Sequence, residues 1–401
     1  MSDGAALVCE LAALLQRWSY EGTTGAERIV AQVGARYGVA ANAAFLPDSA
    51  VVTVDGATTA FVASPIVPPL HQVSALKRLL IEIDGGRLDA VSARAQLRAL
   101  QTRPDPFGPL PFVLGMVCFT IGFGVSIQAT WQEVGASAAL GLLVGLLVWA
   151  TKGRPRLELL APLLGSVGVS ALVLIAYDHG WIDGGPIQLM LPALFYFIPG
   201  DALSAAMVEL ADGRITAGAS RLVASLAILL MLGFGALIAT VLVAVPQSFL
   251  FDVDVDGNLG PLAPWIGWTL FALGVMLVFQ MERRDFPWAL LIVLGTAAVA
   301  TVATAAVGDP TGTFLGAIAM TVAALLLGRR RELPPPYVLY LGAFYVLTPG
   351  SHGLRGVESW IGGDRIEGLN GVADMLGLLT AIALGMLIGA VAVRRPLSAG
   401  T

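Results

Sequence analysis

From Leu110 onward the chain alternates long apolar runs with short polar breaks. Ten runs fall at roughly 110–128, 134–151, 157–177, 187–210, 219–245, 264–281, 286–307, 311–328, 335–358 and 371–393. Most hold the ~20 apolar residues that ~30 Å of hydrocarbon requires of a helix. The fourth and ninth do not. Ile187–Ile198 and Tyr337–Thr348 are each 12 residues long, which is ~18 Å of helix at ~1.5 Å per residue. Both stop at Pro-Gly: Phe195–Asp201 reads FYFIPGD and Phe344–Ser351 reads FYVLTPGS. A polar stretch follows each, ADGRITAG at Ala211–Gly218 and GGDRIEG at Gly362–Gly368. The same interrupted element therefore occurs twice. A pair of Pro/Gly-broken apolar segments in matching positions of two halves points to a transporter binding site. The pattern predicts a polytopic α-helical membrane protein with ten spans, of which the fourth and ninth are broken.

Before Leu110 the periodicity is that of a small α+β domain over residues 1–108. Leu7, Leu11, Leu14, Leu15 and Trp18 recur at three- and four-residue spacing, one face of an amphipathic helix that Gly22 is expected to end. Thr24 with Glu27 three residues on reads as a capping box for a second helix, reaching about Tyr37 and stopped by Gly38. Ala50–Val54 and Thr58–Ala63 flank Asp55-Gly56, a hairpin signal, and Phe45–Pro47 reads as a short additional strand. Leu70–Ile83 and Val91–Leu100 are predicted helices, the first closed by Gly85-Gly86. Thr102–Pro111, TRPDPFGPLP, is a linker through which no helix can run.

Charge orients the spans. Lys152, Arg154, Arg156, Arg214, Arg221, Arg283, Arg284, Arg329–Arg331, Arg394 and Arg395 follow the even-numbered spans. The loops at 130–134, 178–186, 246–263 and 308–310 hold no Lys or Arg and carry Asp178, Asp183, Asp252, Asp254 and Asp256. By the positive-inside rule the N-terminal domain and both termini are cytoplasmic. Only Arg355 and Arg365 break the pattern. Five spans per half is an odd number, so residues 261–401 form a second repeat inverted relative to residues 109–260. Trp149, Trp181, Trp265, Trp268 and Trp288 lie near span ends and are expected to anchor at the interfaces.

Composition removes other classes. The 401 residues are 56% hydrophobic and 13% charged, with a mean hydropathy of +0.79, whereas soluble domains carry ~25% charged residues. The net charge of −5 comes with no basic patch, so no nucleic-acid partner is expected. Three histidines without a Cys/His cluster predict no metal, and no cofactor is expected. Cys9 and Cys118 sit in different settings, which argues against a disulfide. The first apolar run carries Glu10, Gln16 and Arg17 and lacks the order of a signal peptide. No Walker-type loop points to ATP.

The chemistry is expected at the breaks. Proline removes an N–H and glycine lets backbone approach a ligand. The freed backbone groups must face a cavity or protein rather than lipid. A half-helix that restarts there offers free N–H groups and a positive dipole end to a small carboxylate. Phe195, Tyr196, Pro199, Gly200, Asp201, Ser204, Tyr345, Pro349, Gly350 and Ser351 are the expected substrate-binding residues. Asp201 and Ser351 also read as N-caps of the following half-helices. Asp201, Glu209 and Asp374 are candidates for proton coupling, because intramembrane carboxylates often mark ion pathways. The other readings are headgroup-level placement for Glu209 and a first-turn acid for Asp374. Phe195, Tyr196, Phe344 and Tyr345 serve packing or wall a pocket. His352 reads as an exposed loop residue, His71 and His179 as surface residues, and Gln128 and Glu133 as interfacial.

The run Phe197–Ser225, FIPGDALSAAMVELADGRITAGASRLVAS, resembles the signature of the bacterial threonine/serine exporter family. The carrying residues are Pro199-Gly200, then Glu209-Leu210 with Gly213, then Gly218 with Arg221-Leu222. The stretch Tyr20–Val39 resembles that family's N-terminal domain. The resemblance implies a secondary transporter that exports threonine or serine from the cytoplasm, with proton antiport as the simplest coupling. Relatives associated with small dicarboxylates such as succinate supply an alternative. Another makes the N-terminal domain an anchored sensor or hydrolase, but Ser19, Thr23, Thr24 and His71 form no nucleophile motif. Gly141 with Gly145 and Gly385 with Gly389 allow close helix packing, within one protomer or in a homo-oligomer.

Overall fold

The computed structural model describes residues 2–18, 22–63, 66–128, 130–182, 185–211, 213–251, 259–347 and 349–393. Ser19, Tyr20, Asp183, Thr348, the aspartates at 252, 254 and 256, and Arg394-Arg395 lie outside the described residues, as do the side chains at 201, 204 and 349 and Gly350.

The N-terminal unit has helices α1 (Asp3–Trp18) and α2 (Gly22–Arg36), strands β1 (Ala41–Phe45), β2 (Ser49–Val54) and β3 (Ala57–Val62), and helices α3 (Leu70–Asp84) and α4 (Ala90–Gln101). The strands form one antiparallel sheet in the order β1-β2-β3. Asp55 and Gly56 both take positive φ, 49° and 83°. That is the type I′ geometry whose twist matches a two-residue hairpin, with Val54 paired to Ala57. Alternation along β2 buries Ala50, Val52 and Val54 against α1. The apolar face of α1 then packs with Val30, Val33, Leu76 and Leu97.

Three local expectations fail here. Gly22 does not end α1 but opens α2, at φ 70°. Thr24 and Glu27 form no capping box, because α2 already begins at Gly22 and Thr24 lies inside its first turn; the Glu27 carboxylate pairs with Arg214 instead. The strand expected at Phe45–Pro47 lies earlier, as β1.

Beyond the linker come α5 (Pro109–Ile127), α6 (Trp131–Thr151), α7 (Pro155–Asp178), α8 (Pro186–Leu194), α9 (Gly200–Ala211) and α10 (Ile215–Val243). Then follow α11 (Ala263–Val278), α12 (Phe286–Val307), α13 (Asp309–Gly328), α14 (Pro336–Val346), α15 (Pro349–Gly362) and α16 (Arg365–Val393). Seven of these, α5, α6, α7, α10, α12, α13 and α16, are long and apolar enough to cross a membrane. Their outward faces carry large apolar residues in four-residue steps, such as Leu142 and Leu146, Leu230 and Phe234, and Leu384 and Ile388. Helices apolar on every side need lipid around them, and the chain is a polytopic membrane protein.

Helix packing follows a recurring scheme. In residues 109–243, α7 packs on α10, α6 on α8, and α9 on α10. In residues 263–393, α13 packs on α16, α12 on α14, and α15 on α16. Across the two sets, α10 meets α15 and α16 meets α9, while α5 runs against α11. The α5–α11 seam is built on glycine. A Cβ on Gly122 would lie 2.7 Å from the Gly267 carbonyl oxygen, and one on Gly267 would lie 2.8 Å from that of Gly122. A Cβ on Gly274 would lie 2.8 Å from the Gly115 carbonyl oxygen. Gly141 and Gly145 face Thr120 and Met116, and Gly385 and Gly389 face Ala317 and Thr321. Both glycine pairs therefore pack within one protomer.

Candidate functional site at the two interrupted segments

The first interruption is a tightening of the helix. After α8, Phe197 N–H donates to Leu194 O at 2.9 Å and Ile198 N–H to Phe195 O at 3.2 Å, both three residues back. Gly200 N–H then donates to Ile198 O at 2.9 Å. Pro199 has no N–H to continue the ladder, and α9 restarts at Gly200. In the second segment Leu347 N–H donates to Phe344 O at 3.1 Å, and α15 restarts at Pro349. Asp201 and Ser351 accordingly lie inside the first turns of α9 and α15, where N-caps were expected.

The two interruptions converge. α8 packs on α15, and α9 packs on both α14 and α15. A Cβ on Gly200 would lie 3.9 Å from Phe344 Cε1. Phe195 is buried, its ring centroid 5.3 Å from that of Tyr345 in an edge arrangement. It also stacks on Phe123 at 3.6 Å. Tyr196 lies 6.1 Å from Phe279. Phe119 of α5 and Phe271 of α11 meet at 4.6 Å, and each reaches Tyr345, at 5.8 and 5.9 Å. Trp268 joins this cluster and is buried, not an interface anchor. Each aromatic pair adds ~0.5–1.5 kcal/mol beyond area burial. The aromatic residues preceding both breaks thus form one packed centre.

The chemistry-bearing residues distribute around it. Ser351 is buried, and Asp374 is exposed on α16. His352 lies on helix α15, half-buried and not in an exposed loop. Glu209 is buried, 6% exposed. Its Oε2 accepts from Arg221 Nε at 3.0 Å, and its Oε1 has no hydrogen-bond partner among the described residues. The sequence reading missed Glu358, on α15 and fully buried. No group of three potential metal ligands occurs among the described residues.

Gln128 and Glu133, expected to be interfacial, are both buried. Gln128 Nε2 donates to Ser137 Oγ at 2.9 Å, and Glu133 closes a capping box with Thr130. Gln280 and Asp285 stand 152 positions after them (128 to 280, 133 to 285) and are buried too. The same interval separates Gly115, Phe119 and Gly122 of α5 from Gly267, Phe271 and Gly274 of α11. This Gly-x3-Phe-x2-Gly repeat is the signal that would have located the aromatic centre from sequence.

The N-terminal unit docks on one end of the helical bundle. His71, expected at the surface, is 1% exposed and pairs through Nδ1 with Gln280 O at 3.2 Å. Burial holds its imidazole below the ordinary range against that carbonyl. Ser74 Oγ donates to Asp285 Oδ2 at 2.6 Å. Burial raises the Asp285 carboxyl, and the Ser74 hydrogen bond opposes it. Lys77 Nζ donates to Gly328 O and Leu333 O at 2.7 Å and to Arg330 O at 2.9 Å, covering the end of α13 before α14. Arg78 pairs with Glu282 at 2.8 Å. On the other flank Arg214 donates to both Glu27 oxygens, at 3.2 and 2.5 Å.

The model of the ThrE family, described as "Putative threonine/serine exporter", matches residues 11–243. The chain belongs to this family. The match spans the N-terminal unit and the first interrupted segment, so ThrE identity rests on the half that holds Pro199-Gly200, Glu209 and Arg221. No curated protein and no solved structure matches the chain. ThrE is a transporter family, not an enzyme family, and His71 lies in the contact between α3 and Gln280.

Proposed function

We propose that this ThrE protein is a secondary active transporter exporting threonine or serine from the cytoplasm by proton antiport. The observation that carries the reading is the meeting of both interrupted segments on one aromatic centre in a chain of this family. The 152-position repeat and the matching helix contacts support ten spans in two inverted repeats, 109–260 and 261–401, after a cytoplasmic domain over 1–108. The orientation follows the basic loops, with both termini inside a bacterial inner membrane. The restarted helices at Gly200 and Pro349 offer N–H groups to the amino acid's carboxylate. Phe195, Tyr196, Tyr345 and Ser351, with Ser204 and Gly350, are the proposed substrate-binding residues. Asp201 is the first coupling carboxylate and Asp374 another. Glu209 is already engaged by Arg221. Partners are the substrate, protons and the bilayer, with a homo-oligomer as a further possibility.

Radiolabelled threonine counterflow in proteoliposomes, with serine, alanine and succinate as competitors, tests this. Uptake blocked by serine but not succinate, and driven by an imposed pH gradient, is expected. Succinate counterflow without a threonine signal would move the protein to a dicarboxylate substrate. Full gradient-driven transport by Asp201→Asn would remove Asp201 from the coupling.

A further inference from the structure

The N-terminal unit holds the bundle at two places of unequal strength. On the α3 side the contact is broad and largely buried. The Leu70 and His71 N–H groups donate to Phe279 O and Gln280 O at 2.9 and 3.0 Å. Phe107 N–H donates to Gln280 Oε1 at 3.0 Å, and the Ser74, Lys77 and Arg78 bonds add to these. On the α2 side the polar side-chain contact among the described residues is one ion pair, Glu27–Arg214, with side chains 23% and 41% exposed. These attachments fall on different interrupted segments. α2 touches α9 of the first, and α3 touches α14 of the second.

Beneath the α2 contact lies Glu209. A Cβ on Gly22, the first residue of α2, would point to within 3.9 Å of Glu209 Oε1. The positive end of α2 therefore covers a buried carboxylate oxygen that has no hydrogen-bond partner among the described residues. Thr23 Oγ1, one residue on, is also buried without a partner among them. The unsatisfied Glu209 oxygen at this seam favours its opening to water, because it regains hydrogen bonds there.

We infer that the N-terminal unit is a gate over the cytoplasmic mouth, anchored through α3 and latched by Glu27–Arg214 above Glu209. This rests on the transporter reading and its orientation. Separation of α9 from α14 must break one attachment, and the α2 latch is the weaker. When it opens, α9 and Glu209 become accessible from the cytoplasm, while α3 stays on the α11–α12 turn.

The test places cysteines at both latch positions, Glu27→Cys with Arg214→Cys, in a Cys9→Ala, Cys118→Ala background. A reducible bis-maleimide suits the reach of the two long side chains. Cross-linked protein is expected to lose threonine counterflow at least ten-fold and to recover it on reduction, with each single cysteine unaffected. Fully cross-linked protein that transports at the uncross-linked rate overturns the gate. Hydrogen exchange gives a readout free of substrate. Glu27→Ala is expected to speed exchange of amides 207–218 at least ten-fold and to leave 70–80 unchanged. Equal exchange in both proteins, or equal acceleration of both stretches, overturns the latch. If the wild type moves no solute, the transport reading fails, and the exchange result still judges the latch.

Discussion

At the residue scale, burial separates the ion pairs Glu27–Arg214 and Glu209–Arg221. The Glu27–Arg214 pair, half-buried and open to solvent screening, is worth ~1 kcal/mol or less. Removing one partner of the buried Glu209–Arg221 pair costs ~3–5 kcal/mol, because a charge is left uncompensated. The first pair can be released in a working cycle, whereas the second holds α9 to α10. His71 carries a pH dependence whose sign follows from its burial. Its folded pKa is lowered, so the unfolded state binds the proton more readily, and stability falls as pH drops below about 6.5. The raised Asp285 carboxyl acts the other way, favouring the docked state on acidification. His71→Asn keeps a donor for Gln280 O and removes the titration. Thermal unfolding in detergent between pH 8 and 5 should show the variant losing less stability on the acid side. Identical pH profiles would exclude His71 as the source. None of this was legible at His71, since a lone histidine on an amphipathic helix has no pattern marking it as buried under a loop over 200 positions away.

At the element scale, the α5–α11 seam sets how the halves meet. A Cβ at Gly122 would lie 2.3 Å from Phe271 N, against backbone that cannot rotate away. Gly122→Leu should therefore part the helices and displace the Phe119–Phe271 contact, seen as loss of the monodisperse peak in size-exclusion chromatography. Gly135 on α6 has nothing within 4 Å of its Cβ position, and Gly135→Ala should be neutral or stabilise by ~0.5–1 kcal/mol through the helix backbone. A Gly122→Leu protein eluting like wild type would show that the seam tolerates separation. The elements themselves were largely readable. Apolar run length gave the long helices, Pro-Gly gave the interruptions, and Asp55-Gly56 gave the hairpin. Gly22 was misread because glycine serves both ends of helices, and Thr24 because the helix opens two residues before it, leaving Glu27 to pair with a distant Arg214.

At the scale of the whole molecule, the proposed orientation puts the Trp181 turn outside and the Arg331 turn inside. A membrane-impermeant maleimide should label Trp181→Cys in intact cells and Arg331→Cys only after permeabilisation, with the buried Cys9 and half-buried Cys118 giving a low background. Labelling in the reverse order would invert the topology. The sequence by itself determined that the chain lives in a membrane, where its helices run and where two of them break. Those properties follow from local composition, because each helix satisfies its own backbone and its apolar length must match the bilayer. Only the tertiary structure decided that both breaks meet at one aromatic centre, that Glu209 lies beneath α2, and that the N-terminal unit grips both interrupted segments. Those depend on which side chains face one another across 150 or more positions, and helical periodicity says which face is apolar but not which partner it meets.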